Sequence, residues 1–396
     1  MLPAWLSFLI IMGVVLALSK YELGIVLTLG AFGFAILAGV NILQSLINVL
    51  TDPTVLALIV IMILIPILGG IMEESGLMME MIQKMRISKR SSLMLVPALF
   101  GLLPVPGGAL MSAPIVQQID SEEEATKKVS INVWYRHMLV LVYPLSSSLI
   151  LASVLTEINL YILVLGLIPG LSIMWLIGYF TLVRNVSPFT EQGERDLKRA
   201  FHNLLPILIA PIVDFIARAF FNFSVPELFL LLGLVFSIWL ALRFSKMKFS
   251  SIKPISQKMK IWRFPLIIFS MFIFLEVFIL SGADKEIASI NLSVFLFILI
   301  GFFLGFATGR IQLPISILIP IYMVQFSALT MPLLDFIFIY TSISLGYLIT
   351  PLHPCVAYST EYFETDFNKV VKILGIPIFL SFITLLGLYG IFLFFN

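Results

Sequence analysis

About a dozen apolar runs, most of them roughly 17 to 20 residues long, follow one another along the 396-residue chain with short charged stretches between them. No other feature constrains the fold as strongly. A run of that length is read as a helix crossing a bilayer, where every backbone N–H and C=O must be paired within the segment. Composition agrees, at 60% hydrophobic and 12% charged with a mean hydropathy of +1.10. Soluble chains are about half apolar and a quarter charged. Soluble enzymes and nucleic-acid binders are thereby excluded, and a formal net charge of +2 gives no general attraction to polyanions. Cys355 is the single cysteine, so no intrachain disulfide is possible. The first run, Leu2 to Leu18, has no basic residue ahead of it, Lys20 being the first, and is expected to be a span rather than a cleaved signal.

Hydropathy places helices at about 2–19, 22–40, 53–72, 131–152 and 159–182, then at about 201–221, 225–242, 264–280, 332–361 and 371–394. Two further apolar segments, Ser91 to Ile119 and Asn291 to Ser327, stand at the same ordinal place in each half. The chain therefore reads as an internal repeat. The first copy, 1–183, holds scaffold helices 1–72, a hairpin at 91–119, a broken helix at 131–152 and a helix at 159–182. A cytoplasmic linker covers 184–200. The second copy, 201–396, holds scaffold helices 201–280, a hairpin at 291–327, a broken helix at 332–361 and a helix at 371–394.

The segment 91–119 has 29 residues, too few for two crossings of about 20 each, and Pro104-Val105-Pro106-Gly107-Gly108 interrupts it. A re-entrant helical hairpin is expected, with a single proline-kinked span as the alternative. The positive-inside rule agrees with hairpins. With them, 20 of the 24 lysines and arginines fall on one side, the cytoplasmic one, while Lys285 is outside and Arg136, Arg218 and Arg310 lie within apolar segments. Five crossings per half is an odd number, so the second half is inverted relative to the first and both termini are expected outside a multi-pass cell-membrane protein. The expected fold class is an all-α polytopic membrane protein of two inverted repeats. Each repeat has five transmembrane helices, one of them broken at the membrane midplane, and one re-entrant hairpin.

Proline interrupts the fourth span of each half, at Tyr143-Pro144-Leu145-Ser146-Ser147-Ser148 and at Thr350-Pro351-Leu352-His353-Pro354-Cys355. The two align without a gap, setting Ser146 opposite His353 and Ser148 opposite Cys355. Matched interruptions in two halves point to a transporter's midplane site. A helix unwound at depth frees N–H groups that favour an anion and C=O groups that can replace the hydration shell of sodium.

Arg310, in Thr308-Gly309-Arg310-Ile311-Gln312-Leu313-Pro314, is the first choice for an anion contact, since its planar fork suits a carboxylate or phosphate. The alternative is that the 37-residue segment forms two full helices with Arg310 among the headgroups. His353 could carry a proton or donate to an anion, or be structural. Ser146, Ser147 and Ser148 offer hydroxyls to a substrate or cap backbone freed by proline. Gly107 and Gly108 suit a tight tip and close approach to a ligand. With Ser112, Thr308, Gly309, Gln312 and Thr350 they complete the expected binding set, and sodium sites are expected near Pro106, Ser147, Gly309 and Pro351.

Asp214 and Arg218, four apart, are expected to pair, with Glu276 joining them in a structural or dimer-interface cluster. Arg136 and His137 lie near the cytoplasmic edge, where they could snorkel, and receive no role. Glu122, Glu123 and Glu124 read as a solvated run. The sequence has no His-Glu-x-x-His, Gly-x-Ser-x-Gly or Gly-x-x-x-x-Gly-Lys stretch, so neither an intramembrane enzyme nor direct ATP coupling is expected. A channel and an intramembrane enzyme remain the rival classes to a gradient-driven carrier without a cofactor, for which sodium is a candidate coupling ion.

This architecture resembles the ion transporter superfamily, which includes divalent anion sodium symporters, citrate carriers, gluconate permeases and arsenite carriers. More closely, Leu103-Pro104-Val105-Pro106-Gly107-Gly108-Ala109-Leu110-Met111-Ser112-Ala113-Pro114 and Gly346-Tyr347-Leu348-Ile349-Thr350-Pro351-Leu352-His353-Pro354-Cys355 look like an uncharacterised prokaryotic membrane family of that superfamily. The resemblance covers the whole chain. It implies a scaffold, a mobile transport domain moving as an elevator, a homodimer in the lipid bilayer, and a small anionic substrate. The Ser-Asn-Thr tip motif of the dicarboxylate symporters is absent, and the Pro-x-Pro-Gly stretch is closer to that of gluconate permeases.

Overall fold

The computed structural model describes residues 2–18, 21–85, 87–102, 108–186, 196–221 and 223–395, of which 108–110 are described by backbone alone. All regular structure among the described residues is helical. In chain order it begins with α1 (Ala4–Ala17), α2 (Leu23–Ala38), α3 (Ile42–Thr51), α4 (Pro53–Glu74) and α5 (Leu77–Met85). Then come α6 (Lys89–Gly101), α7 (Gly108–Ile119), α8 (Ala125–Arg136), α9 (Ser147–Thr156) and α10 (Leu160–Gly178). The second half continues with α11 (Leu197–Phe220), α12 (Glu227–Ser245), α13 (Ile252–Lys258), α14 (Arg263–Ser281) and α15 (Ala283–Ala288). It ends with α16 (Val294–Thr308), α17 (Gln312–Gln325), α18 (Leu333–Ile349), α19 (Pro354–Tyr362) and α20 (Phe367–Phe395).

Eight stretches of described residues are long and apolar enough to cross a membrane, two of them the interrupted stretches Ala125–Thr156 and Leu333–Tyr362. By length and composition this is a multi-pass membrane protein. Caps fix where several helices start. Asp52 accepts from the N–H groups of Thr54 and Val55 at 2.8 and 3.2 Å, with Pro53 opening α4. The hydropathy reading missed α3, α5, α13 and α15, which are too short or too polar to register as spans. The stretch between the expected helices 225–242 and 264–280 contains α13, whose Lys258 Nζ lies 3.3 Å from carboxylates of both Glu73 and Glu74.

The chain forms two compact units, each drawing on both halves of the sequence. One gathers the described residues of Met1–Met85, Arg195–Asn291 and Val324–Phe326, and so holds α1–α5 and α11–α15. Its core includes the rings of Phe8, Phe34, Phe274 and Phe278, with centroids 4.8 to 6.3 Å apart. Asp214, fully buried, accepts from Arg218 Nε at 2.9 Å, as the spacing predicts. The second acid beside this arginine is Glu227, at 3.9 Å, and not the expected Glu276, which instead accepts from Asn48 Nδ2 at 2.6 Å. The α14 face that carries Glu276 meets α3, an element the hydropathy reading did not contain.

The other unit gathers the described residues of Arg86–Glu194, Leu292–Met323 and Ser327–Asn396, with α6–α10 and α16–α20. Here α16 lies very close to α18. A Cβ at Gly305 or Gly346 would strike the carbonyl oxygen of Ile343 or Phe302, and the Ser342 hydroxyl donates to the Ile298 carbonyl. Small residues at this interface let the backbones approach, as in membrane helix pairs generally. Two short helices, α6 and α7, pack against each other within the segment 89–119, and α7 also lies against both α8 and α19. The interrupted stretches touch directly, with Asn132 Nδ2 donating to Ser359 Oγ at 3.0 Å.

Candidate functional site

Proline lies in both interruptions of the second unit. It lacks an N–H, clashes with the preceding turn and drives the residue before it out of the helical region. Thr350, before Pro351, is accordingly extended (φ −74°, ψ 141°), and α18 stops at Ile349. A turn follows in which the Leu352 N–H donates to Thr350 Oγ1 at 3.3 Å, and His353 then stands at the N-cap of α19 with Pro354 opening the helix. Tyr143, before Pro144, is likewise extended (φ −85°, ψ 119°), and Ser146 occupies the N-cap of α9. The gapless sequence alignment of the two breaks therefore matches equivalent places in the structure, Ser146 with His353.

The first break is longer than expected. The α-helix gives out at Arg136 rather than Tyr143, and Leu139–Val142 tighten into a 3-10 turn before the proline. Gly101 at the end of α6 fits against the Arg136 carbonyl, where a Cβ would collide. This corrects the reading of Arg136 and His137 as snorkelling residues, because both are buried inside the unit. His137 Nδ1 donates to the Val133 carbonyl at 2.7 Å, which leaves Nε2 facing His353 Nε2 at 3.0 Å. The rings meet edge to face at 4.5 Å, and Tyr347 from α18 stacks on His353 at 4.1 Å. Cys355 completes the group, its sulfur in contact with the Arg136 guanidinium.

The serines of the first break make a second network. Ser146 and Ser148 share a hydrogen bond of 2.9 Å, and Ser148 shares another of 2.9 Å with Tyr340 of α18. Ser147 turns the other way and accepts from Gln312 Nε2 at 2.8 Å. Gln312 is the first residue of α17, so the turn between α16 and α17 reaches the first break there. The same turn reaches the second break through Gly309, in the left-handed region at φ +59°, whose Cα lies so near Leu352 that a Cβ would come within 2.7 Å of Leu352 Cβ. Thr308 Oγ1 donates to the Leu304 carbonyl at 2.7 Å and accepts from the Arg310 N–H at 3.3 Å, which fixes the turn.

Between Gly309 and Gln312 stands Arg310, half-buried, with no carboxylate within ion-pair distance among the described residues. Of the expected polar binding residues, Ser147, Arg310 and Gln312 retain exposed surface, whereas Ser112, Ser146, Ser148, Thr308, Thr350 and His353 are buried. Pro351 is exposed in the second break and Gly108 opens α7, while Pro106 and Gly107 lie outside the described residues. Sequence reasoning missed Arg136, His137, Tyr340 and Tyr347. His137 and His353 are 216 positions apart, and no local pattern marks them as neighbours.

An all-helical, multi-pass membrane protein with two interrupted helices touching one turn is the class that this geometry defines. Within that class the chain belongs to the family described as protein of unknown function (DUF401), whose model matches residues 2–391. No curated protein matches it.

Proposed function

We propose that the protein is a secondary carrier of a small organic anion, carboxylate-like, coupled to sodium or protons across the cytoplasmic membrane. One observation carries the reading. A single turn touches both helix breaks, through Gln312 to Ser147 and through Gly309 to Leu352, and presents Arg310 between those contacts without an acidic partner among the described residues. An arginine at membrane depth is costly unless an anion or water meets it. The N-termini of α9 and α19 at the breaks add partial positive charge, and freed carbonyls suit sodium.

In this reading the α6–α7 and α16–α17 pairs are re-entrant hairpins of two inverted repeats in an ion transporter superfamily scaffold. The unit of α1–α5 and α11–α15 is the scaffold. The unit of α6–α10 and α16–α20 carries substrate as an elevator within a homodimer, both termini lying outside. The protein is a carrier and not an enzyme. The reading is tested by thermal stability of purified protein with mono-, di- and tricarboxylates and inorganic phosphate, with and without sodium. A ligand that binds the native state raises stability by mass action. One anion class should stabilise the wild type and fail to stabilise Arg310→Ala. Stabilisation that survives the substitution removes Arg310 from the site, and no stabilisation by any anion contradicts the anion carrier.

A further inference from the structure

His137, His353 and Cys355 come from two breaks that the sequence separates by more than 200 residues, yet each offers a ligand atom within 4.8 Å of the other two. We propose that these three side chains bind one zinc-class transition-metal ion where the two interrupted helices meet. Three features of the geometry support it, independently of what the protein carries.

The donor set is two imidazoles and a thiol with no carboxylate in the cluster. That combination suits borderline and soft ions such as Zn(II), Co(II) or Cu(I), and not the oxygen-seeking Mg(II), Ca(II) or sodium. His137 is already oriented as a ligand. Its Nδ1–H is committed to the Val133 carbonyl at 2.7 Å, so its Nε2 presents a lone pair to the cluster, the arrangement that holds metal-binding histidines in one tautomer. The His353 ring hydrogen-bonds to the Leu348 backbone, and its Nε2 faces the His137 lone pair at 3.0 Å.

Distances permit the ion with little movement. Two nitrogens on one tetrahedral zinc at about 2.0–2.1 Å each stand about 3.3–3.4 Å apart. The observed Nε2 separation is 3.0 Å. Both donors sit at helix ends, His137 after α8 and His353 before α19, where a shift of a few tenths of an ångström does not disturb a continuous helix. The Arg136 guanidinium against Cys355 opposes any cation held by charge alone, and offsets the thiolate charge that metal ligation requires. The site therefore favours an ion held by coordinate bonds. Three protein ligands leave a fourth position open.

The test uses the full-length protein in detergent, stripped with a chelator, free of any affinity tag and titrated with Co(II). The expected result is one equivalent bound, with a thiolate-to-cobalt charge-transfer absorption and the visible bands of a tetrahedral site, both displaced by Zn(II). Cys355→Ser should abolish the charge-transfer absorption, and His137→Gln and His353→Gln should each weaken binding at least tenfold. Cys355→Ser changes one atom, and helical circular dichroism equal to that of the wild type establishes that it folds. The proposal is overturned by no saturable Co(II) or Zn(II) binding, or by binding that both Cys355→Ser and His353→Gln leave intact.

Discussion

Replacing Gly309 with alanine measures whether the α16–α17 turn rests on the second helix break. Two costs add at this position. Holding an L-residue at φ +59° costs about 1–2 kcal/mol. Pressing a methyl to 2.7 Å from Leu352 Cβ and 3.2 Å from its carbonyl group adds an overpacking cost of about 1–3 kcal/mol. The sum is about 2–5 kcal/mol. Two internal controls carry the first cost without the second. Gly76 (φ +73°) and Gly282 (φ +74°) have the same handedness, and a Cβ at either would meet nothing within 4 Å. Gly76→Ala and Gly282→Ala should each cost about 1–2 kcal/mol. Equilibrium unfolding in mixed micelles of detergent and SDS, followed by helical circular dichroism, gives all three values. Gly309→Asn adds a discriminating arm, because asparagine tolerates the left-handed region and retains the clash. The reasoning is refuted if Gly309→Ala is no more destabilising than the two controls, since Leu352 would then not bear on the turn.

Other outcomes follow from the same geometry. Ser147→Ala and Gln312→Ala should show a coupling of about 0.5–1.5 kcal/mol in a double-mutant cycle, and additive effects would mean that the 2.8 Å bond between them is absent in solution. Arg218→Ala removes the cation beside the buried carboxylates of Asp214 and Glu227 and should cost about 3–5 kcal/mol in the same unfolding assay, with Arg218→Lys costing less. Glu80, bonded by Asn203 and then Arg199, is held below its ordinary value of 4.5. Its contribution to stability is complete above that value and is lost as pH falls through the lowered one. Glu80→Gln should therefore flatten the acid limb of a stability profile, and an unchanged limb would place the acid sensitivity elsewhere.

The spans were legible because bilayer thickness sets a minimum apolar length that hydropathy detects directly. Both breaks were legible for a similar reason, since Pro144 and Pro351 cannot sit quietly in a helix interior. Their extent was not. The helix ends at Arg136 through a contact with Gly101 and a 3-10 turn, neither of which proline spacing encodes. Arg310, Gln312 and Ser147 could be chosen as polar residues at turns and breaks, but their convergence on one turn is a tertiary fact. Distance along the chain from a charged edge does not report depth for His137, which folding buries against His353. The elements α3, α5, α13 and α15 carry too little apolar length for the same search, and Glu276 was misassigned because its true partner, Asn48, lies on one of them.

The most direct test of the carrier reading is uptake of radiolabelled mono-, di- and tricarboxylates by proteoliposomes under imposed sodium or proton gradients, wild type against Arg310→Ala. The account predicts saturable accumulation of one carboxylate class that depends on one gradient and vanishes with Arg310→Ala. Flux that neither saturates nor couples to either gradient, or accumulation unchanged by Arg310→Ala, would contradict it.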